Sequence, residues 1–263
     1  NISGTGVLGK KRGLLGYAIV QMYKFSFKKV DYVIFQNSKD KINWIESKIV
    51  SKECALRQFG SGVDLKKFQI TEPKDDKITV VCISRLLVEK GIEYFINLAK
   101  ITTEKSANIS FILAGNEVDI NRGGYNIDRV IEAQNAGYIE YIGMQRDVVP
   151  LISKRTIGCL LTGYNEGLPK SILEFMAVGR PVLISDFSAA EELVPLDKNG
   201  LIVNLDDSQW MEQASRFILE LANDPEEYKR MCVNSRELAV NVFNDEIGIS
   251  EYISLITRLT TFP

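Results

Sequence analysis

The sequence predicts a doubly wound α/β domain, and three observations carry that prediction. From Lys77 onward, short apolar runs alternate with helical patterns: ITVVCIS then GIEYFINLAKI, ISFILAG then NIDRVIEAQNAG, YIEYIG then DVVPLIS, TIGCLLT then PKSILEFMAVG, PVLIS then SAAEELV, and GLIVNL before a helical tail. The strand segments are apolar along nearly their whole length, which is the pattern of strands covered on both faces of a parallel sheet. The segments between them have the length and periodicity of crossover helices. Such sheets bind ligands beyond the carboxyl ends of their strands, so the residues just after each strand are the first candidates for function.

Ahead of Lys77 the pattern is less complete. A glycine-rich loop precedes a helix over about residues 14–27, one strand in YVIFQN, and a helix from about Lys39. One strand is too little for a domain of its own, so residues 1–60 read as the incomplete end of a preceding domain. RQFGSGVDLKKF and the polar TEPKDDK place a hinge and linker at residues 61–76, because Gly60, Gly62 and the charged run punctuate the chain there. The α/β domain then covers residues 77–244. The tail from Asp206 breaks near Asn223-Asp224-Pro225 and Phe243-Asn244-Asp245, where Asp or Asn can cap the next helix, and it ends in a helix over residues 245–263.

Composition excludes several classes. With 263 residues, 45% hydrophobic and 25% charged, the chain buries an ordinary core. A net charge of −2 provides no basic field for nucleic acid. The chain has no histidine, which removes every Ser-His, Cys-His and His-metal mechanism. Cys54, Cys82, Cys159 and Cys232 are far apart and sit mostly in apolar runs, as buried thiols of a reducing, cytoplasmic compartment do. The chain opens on Asn1 and reads as a fragment of a longer one. Its longest apolar stretch, LLGYAIVQMY, is about half of the ~20 residues a membrane span needs. Lysines and an arginine flank that stretch, so it reads either as a core helix or as a helix lying on anionic lipid.

Four clusters are candidates for chemistry. Gly4-x-Gly6-x-x-Gly9 has the spacing of a dinucleotide fingerprint, and Gly4-x4-Gly9-Lys10-Lys11 nearly that of a phosphate loop. The second lacks the hydroxyl that would hold magnesium and the first lacks a preceding strand, so a plain glycine loop is the simpler reading. Glu117 and Asp119 follow a strand as an acidic pair of the kind that holds Mg²⁺ or forms solvated surface. Arg85 and Lys90, in ISRLLVEKGIEYF, bracket a loop after the first sheet strand, where both cations can meet an anion.

The fourth is YNEGLPKSILEFMAVGRPVL, residues 164–183. Pro169 suits the first turn of a helix and Gly179 its exit. The backbone N–H groups around Gly167, Leu168, Lys170 and Ser171 then form an anion site aided by the helix dipole. The helix is apolar nearly all round, so Glu174 must meet a partner or lose its charge. A ribose diol is one partner and a lysine or arginine is another. Glu166 either faces whatever is attached to the phosphates or simply favours the helix N-terminus.

Taken together, ISRLLVEKGI, FILAG, YIEYIG, NEGLPKSILEFMAVGRPVLISD, NGLIV and the DPEEYKRM helix closely resemble a bacterial glycosyltransferase of the GT-B fold, family 4, in the branch that builds capsule, O-antigen and related surface polysaccharides. The resemblance covers essentially the whole chain, and Glu166-x7-Glu174 around Gly-Leu-Pro is its most specific motif. It implies a Rossmann-like donor domain, a remnant of the amino-terminal acceptor domain, and a last helix that crosses back toward it. It also implies retaining, metal-independent transfer of a sugar from a nucleotide donor, usually a UDP-sugar, to a glycan or polyprenyl-linked acceptor, with peripheral membrane contact. By that resemblance Arg85 and Lys90 hold the diphosphate, assisted by Gly167, Leu168, Pro169 and Ser171. Glu166 contacts the donor sugar, Glu174 the ribose, and the loop with Gly143 and Met144 the base.

Departures from the family pattern stand at Thr162-Gly163 and at Ser188 to Glu192, where they bear on sugar specificity and cleft shape, and in the amino-terminal domain that carries the family's acceptor site, most of which is missing, so the expectation for this chain is donor binding with or without transfer. A nucleotide-sugar 2-epimerase of the same fold, or a non-catalytic partner of a transferase, are the rival readings.

Overall fold

The computed structural model describes residues 14–60, 62–73 and 77–260. The glycine motif at Gly4, Gly6 and Gly9 lies outside them. The amino-terminal unit runs α1 (Leu14–Ser26), β1 (Val33–Phe35), α2 (Ser38–Glu46) and β2 (Ala55–Arg57). α1 turns Tyr23 toward Trp44 of α2, with Phe27 beyond it on the same ring, at centroid distances of 5.1 and 5.8 Å. Its other side leaves Tyr17, Met22 and Phe25 exposed. Among the described residues no helix is long and apolar enough to cross a membrane. β2 corrects the expectation of a single strand here: it pairs in parallel with β1, Val33 opposite Ala55. Three residues ending on an arginine carry too little pattern to announce a strand.

Beyond the hinge the chain continues β3 (Ile78–Ile83), α3 (Ile92–Thr103), β4 (Ile109–Ala114), α4 (Ile127–Asn135), β5 (Glu140–Tyr141), α5 (Val149–Ile152), β6 (Thr156–Leu160), α6 (Lys170–Val178), β7 (Val182–Ser185), α7 (Ala190–Leu193) and β8 (Gly200–Val203). Three helices follow: α8 (Trp210–Asn223), α9 (Pro225–Asn241) and α10 (Asp245–Thr260). All six predicted strands form one parallel sheet in the order β5-β4-β3-β6-β7-β8. Both faces are covered, as the unbroken apolar runs require: Val80 and Cys82 of β3 enter the core under α3 and α8, whereas Val81 enters the core under α6. Burial pushes the Cys82 thiol up to about 11, which makes it an inert packing group.

The chain steps outward from β3 to β4 and β5, then returns to β6 on the other side of β3. That reversal opens a crevice above the carboxyl ends of β3 and β6. Two crossings join the units. Val63 N–H donates to the Phe243 carbonyl at 2.8 Å, and Asp245 N–H donates to the Val63 carbonyl at 3.2 Å, so the hinge and the entry to α10 run side by side. Asp224 caps α9 by accepting from Glu227 N–H at 2.9 Å, as expected from its place before Pro225.

Candidate functional site

A cavity of about 370 Å³ lies over the β3/β6 reversal, between the two units. Ile83, Ser84, Arg85 and Lys90 come to it from the loop after β3, and Leu160 from the end of β6. Glu166 through Ser171 form its floor at the start of α6, and Gln36, Phe59, Gly60 and Gly62 close it from the amino-terminal unit and hinge. Of the residues singled out from sequence, Arg85, Lys90, Glu166, Gly167, Leu168, Pro169 and Ser171 are thereby brought together.

The loop after β3 is held rigidly, and the reason is local. Leu86 and Leu87 are buried, so Arg85 before them and Val88 and Glu89 after them are turned outward. Leu86 N–H donates to the Asn116 carbonyl at 3.0 Å, and Val88 N–H to that of Gly123 at 3.1 Å. The turn carrying Lys90 ends at Gly91, with φ 71°. A Cβ on Gly91 would stand 1.7 Å from the Leu161 carbonyl oxygen, so only glycine lets the turn press on the end of β6. Gly91→Ala is therefore expected to cost roughly 1–3 kcal/mol in a urea titration, the scale of an enforced left-handed residue, and to push Lys90 out of place.

The same contact is tied by hydrogen bonds. The Glu89 carbonyl accepts both the Thr162 hydroxyl at 2.9 Å and Gly163 N–H at 3.1 Å. Lys90 Nζ pairs with Glu166 Oε1 at 2.5 Å, and both side chains are largely buried. Arg85, by contrast, is exposed at the mouth, and no ion pair is formed by it among the described residues. At α6, Pro169 is the N-cap, one position earlier than its expected place inside the first turn. The N–H groups of Gly167, Leu168, Lys170 and Ser171 have no acceptor among the described residues. The arrangement is thus a cavity with two cations and a bundle of free N–H donors, able to take an anion of more than one charge.

The remaining sequence candidates lie at or beyond the edge. Glu174 is half-buried on the same helix face as Lys170 and Ser171 but does not line the cavity. Burial pushes its carboxyl up, partly offset by Lys67 and Lys170. Gly143 and Met144 also stand outside the lining, with Met144 70% exposed and the Gly143 carbonyl accepting from Gly115 N–H at 2.9 Å. Asp119 uses its carboxylate to accept from Asn121 N–H at 2.7 Å, a turn cap. Among the described residues no group of three or more metal-ligating side chains converges.

Sequence reading missed Thr162 as a tie between the two loops, and missed Arg180, which anchors the far end of α6. The only signal at Thr162 was its departure from the family pattern. At Arg180 it was a charge wedged between Gly179 and the apolar run that follows.

Comparison with known proteins agrees with this geometry. The family model for glycosyl transferases group 1 matches residues 63–238. A Campylobacter jejuni N,N'-diacetylbacillosaminyl-diphospho-undecaprenol alpha-1,3-N-acetylgalactosaminyltransferase is 27% identical, over 95% of this chain and 66% of its own length. An Escherichia coli UDP-Gal:alpha-D-GlcNAc-diphosphoundecaprenol alpha-1,3-galactosyltransferase is 26% identical, over 70% of this chain and 49% of its own. The chain thus spans about half to two thirds of the length of these relatives. Among solved structures, Anabaena Alr3699/HepE in complex with UDP superposes with a TM-score of 0.78 at 16% identity, over 92% of this chain and 68% of that one. Sucrose-phosphate synthase from Thermosynechococcus elongatus gives 0.76 at 20% identity, over 97% and 66%. With the family model covering two thirds of its length and its fold that of GT-B enzymes, the chain belongs to the glycosyl transferases group 1 family.

Proposed function

We propose that this chain is the donor-binding part of a retaining, metal-independent glycosyltransferase that moves a hexosyl group from a UDP-sugar to a polyprenyl-diphosphate-linked glycan during surface-polysaccharide synthesis. The observation that carries the reading is the buried Lys90–Glu166 pair set beside the free N–H groups of α6 in one cavity. An entering diphosphate replaces Glu166 as the counter-ion of Lys90 and takes the N–H donors of Gly167 to Ser171. Arg85 meets it at the mouth. Released from Lys90, Glu166 accepts hydrogen bonds from hydroxyls of the donor sugar. As the bond from the sugar to the diphosphate breaks, the charge that grows on the leaving group meets fixed cations and dipoles in place of a metal ion. Glu174, whose burial disfavours its charged form, accepts from the ribose hydroxyls, and the loop at Gly143 and Met144 lies beside the base. The lipid-linked acceptors named for the two curated relatives support the acceptor class. Tyr17, Met22 and Phe25, exposed on α1 beside Lys24, offer the acceptor's membrane a peripheral contact.

Titration calorimetry with UDP in EDTA tests the reading, and saturable binding is expected; a folded sample with no heat at high micromolar protein overturns it. Glu174→Ala should weaken UDP by roughly 1.5–3 kcal/mol, the scale of hydrogen bonds to a charged group. The pH dependence has a definite sign. A carboxyl raised in the folded state contributes most stability below the ordinary carboxylate pKa, and that contribution is lost as pH rises through the raised value. The unfolding free energy of the free protein therefore falls across that window, and Glu174→Ala flattens the slope.

A further inference from the structure

Asp40 is a buried carboxylate that the chemistry above does not use. It stands in the first turn of α2, 1% exposed. Within its own helix it accepts from Asn37 Nδ2 at 3.0 Å, while Asn37 Oδ1 caps Asp40 N–H at 2.8 Å. An acidic residue in a first helical turn is ordinary, and that much would be satisfied at a solvated surface. The other carboxylate oxygen, however, reaches across to the donor unit. It accepts the Ser188 hydroxyl at 2.8 Å and Asn165 Nδ2 at 3.2 Å, and Asn165 Oδ1 in turn accepts Ser188 N–H at 2.8 Å.

Asn165 directly precedes Glu166, and Ser188 follows β7. The seam around these residues is polar throughout: Ser38 N–H donates to Glu192 Oε1 at 2.7 Å, Arg57 pairs with Glu192 at 3.4 Å, and Lys39 with Asp186 at 3.6 Å. Polar seams between domains resemble those of transient protein contacts, which part and re-form.

We propose that Asp40 is a positioning residue that couples docking of the amino-terminal unit to the placement of Glu166. It rests on the reading of the cavity as the donor site. With the units docked, Asn165 and Ser188 share one acceptor, and the loop at residues 163–168 is fixed near its middle. With the units apart, that acceptor leaves: Asn165 Nδ2 and the Ser188 hydroxyl lose their shared partner, and the loop keeps the ties made within the donor unit, at Thr162, from Asn165 Oδ1 to Ser188 N–H and from Glu166 to Lys90. Donor binding, which takes the N–H groups of Gly167 and Leu168 on this same loop, then favours the docked state, and docking favours donor binding by the same factor.

The test uses the 263-residue chain with Asp40→Ala, Asn165→Ala, the double variant, and the exchange Asp40→Asn/Asn165→Asp. The exchange reverses donor and acceptor between residues 40 and 165, with the Ser188 hydroxyl turned to accept from the new amide and the net charge unchanged. Amide hydrogen exchange without ligand reads the loop, and UDP titration reads the site. Asp40→Ala is expected to speed exchange at residues 163–168 by about 10-fold or more while β3 and β4 keep their protection, since local opening varies independently across a fold. It should weaken UDP about 3- to 10-fold, the double variant should add little to either single one, and the exchange should restore both readouts, as coupled partners do. A folded Asp40→Ala chain whose loop protection stays within about two-fold of the parent overturns the proposal, as does a folded exchange variant that restores nothing. Should Asp40→Ala not fold, the exchange variant decides alone. If the parent chain binds no UDP, the donor reading fails, and loop protection by itself decides the role of Asp40.

Discussion

Lys90→Ala is expected to lower kcat/KM for sugar transfer by about 10²–10³-fold, the range observed when one pre-placed donor to a developing anion is removed. Its ammonium sits largely buried in the cavity wall, on a turn that Gly91 and two hydrogen bonds to the Glu89 carbonyl hold against the end of β6. A cation so placed needs no rearrangement as charge moves onto the departing diphosphate. Its removal also leaves Glu166 facing that diphosphate without its counter-ion, so UDP affinity falls along with the rate. The companion change Glu166→Gln separates the two effects. It removes the competing carboxylate from Lys90 and should keep or tighten UDP binding, while transfer drops because the donor sugar loses its acceptor. Steady-state transfer with a polyprenyl-linked acceptor and UDP titration of each variant check the pair. A Lys90→Ala enzyme within about three-fold of the parent would remove Lys90 from the chemistry.

Much of this arrangement is legible before any coordinates. The strands of the large sheet announce themselves because burial on both faces demands unbroken apolar runs, and β3 shows it residue by residue as Val80, Val81 and Cys82 enter opposite cores. Once the sheet is parallel and the chain reverses at β3 and β6, the residues after those strands must converge, which is why Arg85, Lys90 and Glu166 line one cavity. Contacts that depend on how separate loops meet carry no such periodic signal. Asp40, Asn165 and Ser188 are far apart in sequence, and no local pattern links them. The two-residue strand β5 was visible only as part of a longer run, since most of YIEYIG makes no ladder. Glu174 shows the limit of spacing arguments: the helix period puts it on the same face as Ser171, but the cavity ends before reaching it.

Arg180 gives the largest expected loss of stability. It is 1% exposed, and its guanidinium works as a clamp. Nε donates to the Lys154 carbonyl at 2.8 Å. Nη1 donates to the carbonyls of Thr71, Val178 and Gly179 at 2.9, 3.1 and 3.0 Å, and Nη2 to Thr71 Oγ1 and the Ser153 carbonyl, both at 2.7 Å. Those acceptors belong to the hinge, to the turn before β6 and to the end of α6, where Gly179 (φ 81°) has just stopped the helix. One planar fork of donors therefore closes three chain segments that have no ladder between them, a task an ammonium on a flexible stem cannot perform. Arg180→Met keeps roughly the volume but strands these carbonyls in the interior, at about 1–3 kcal/mol for each that water fails to reach. The expected total is roughly 3–5 kcal/mol, a third or more of the stability of an ordinary domain. It should appear as a lower urea midpoint with an unchanged slope, and Arg180→Lys should recover less than half of the loss. A midpoint shift worth under about 1 kcal/mol would show that the clamp is replaced by water at little cost, and that the hinge is held instead by the bonds of Val63 to Phe243 and Asp245.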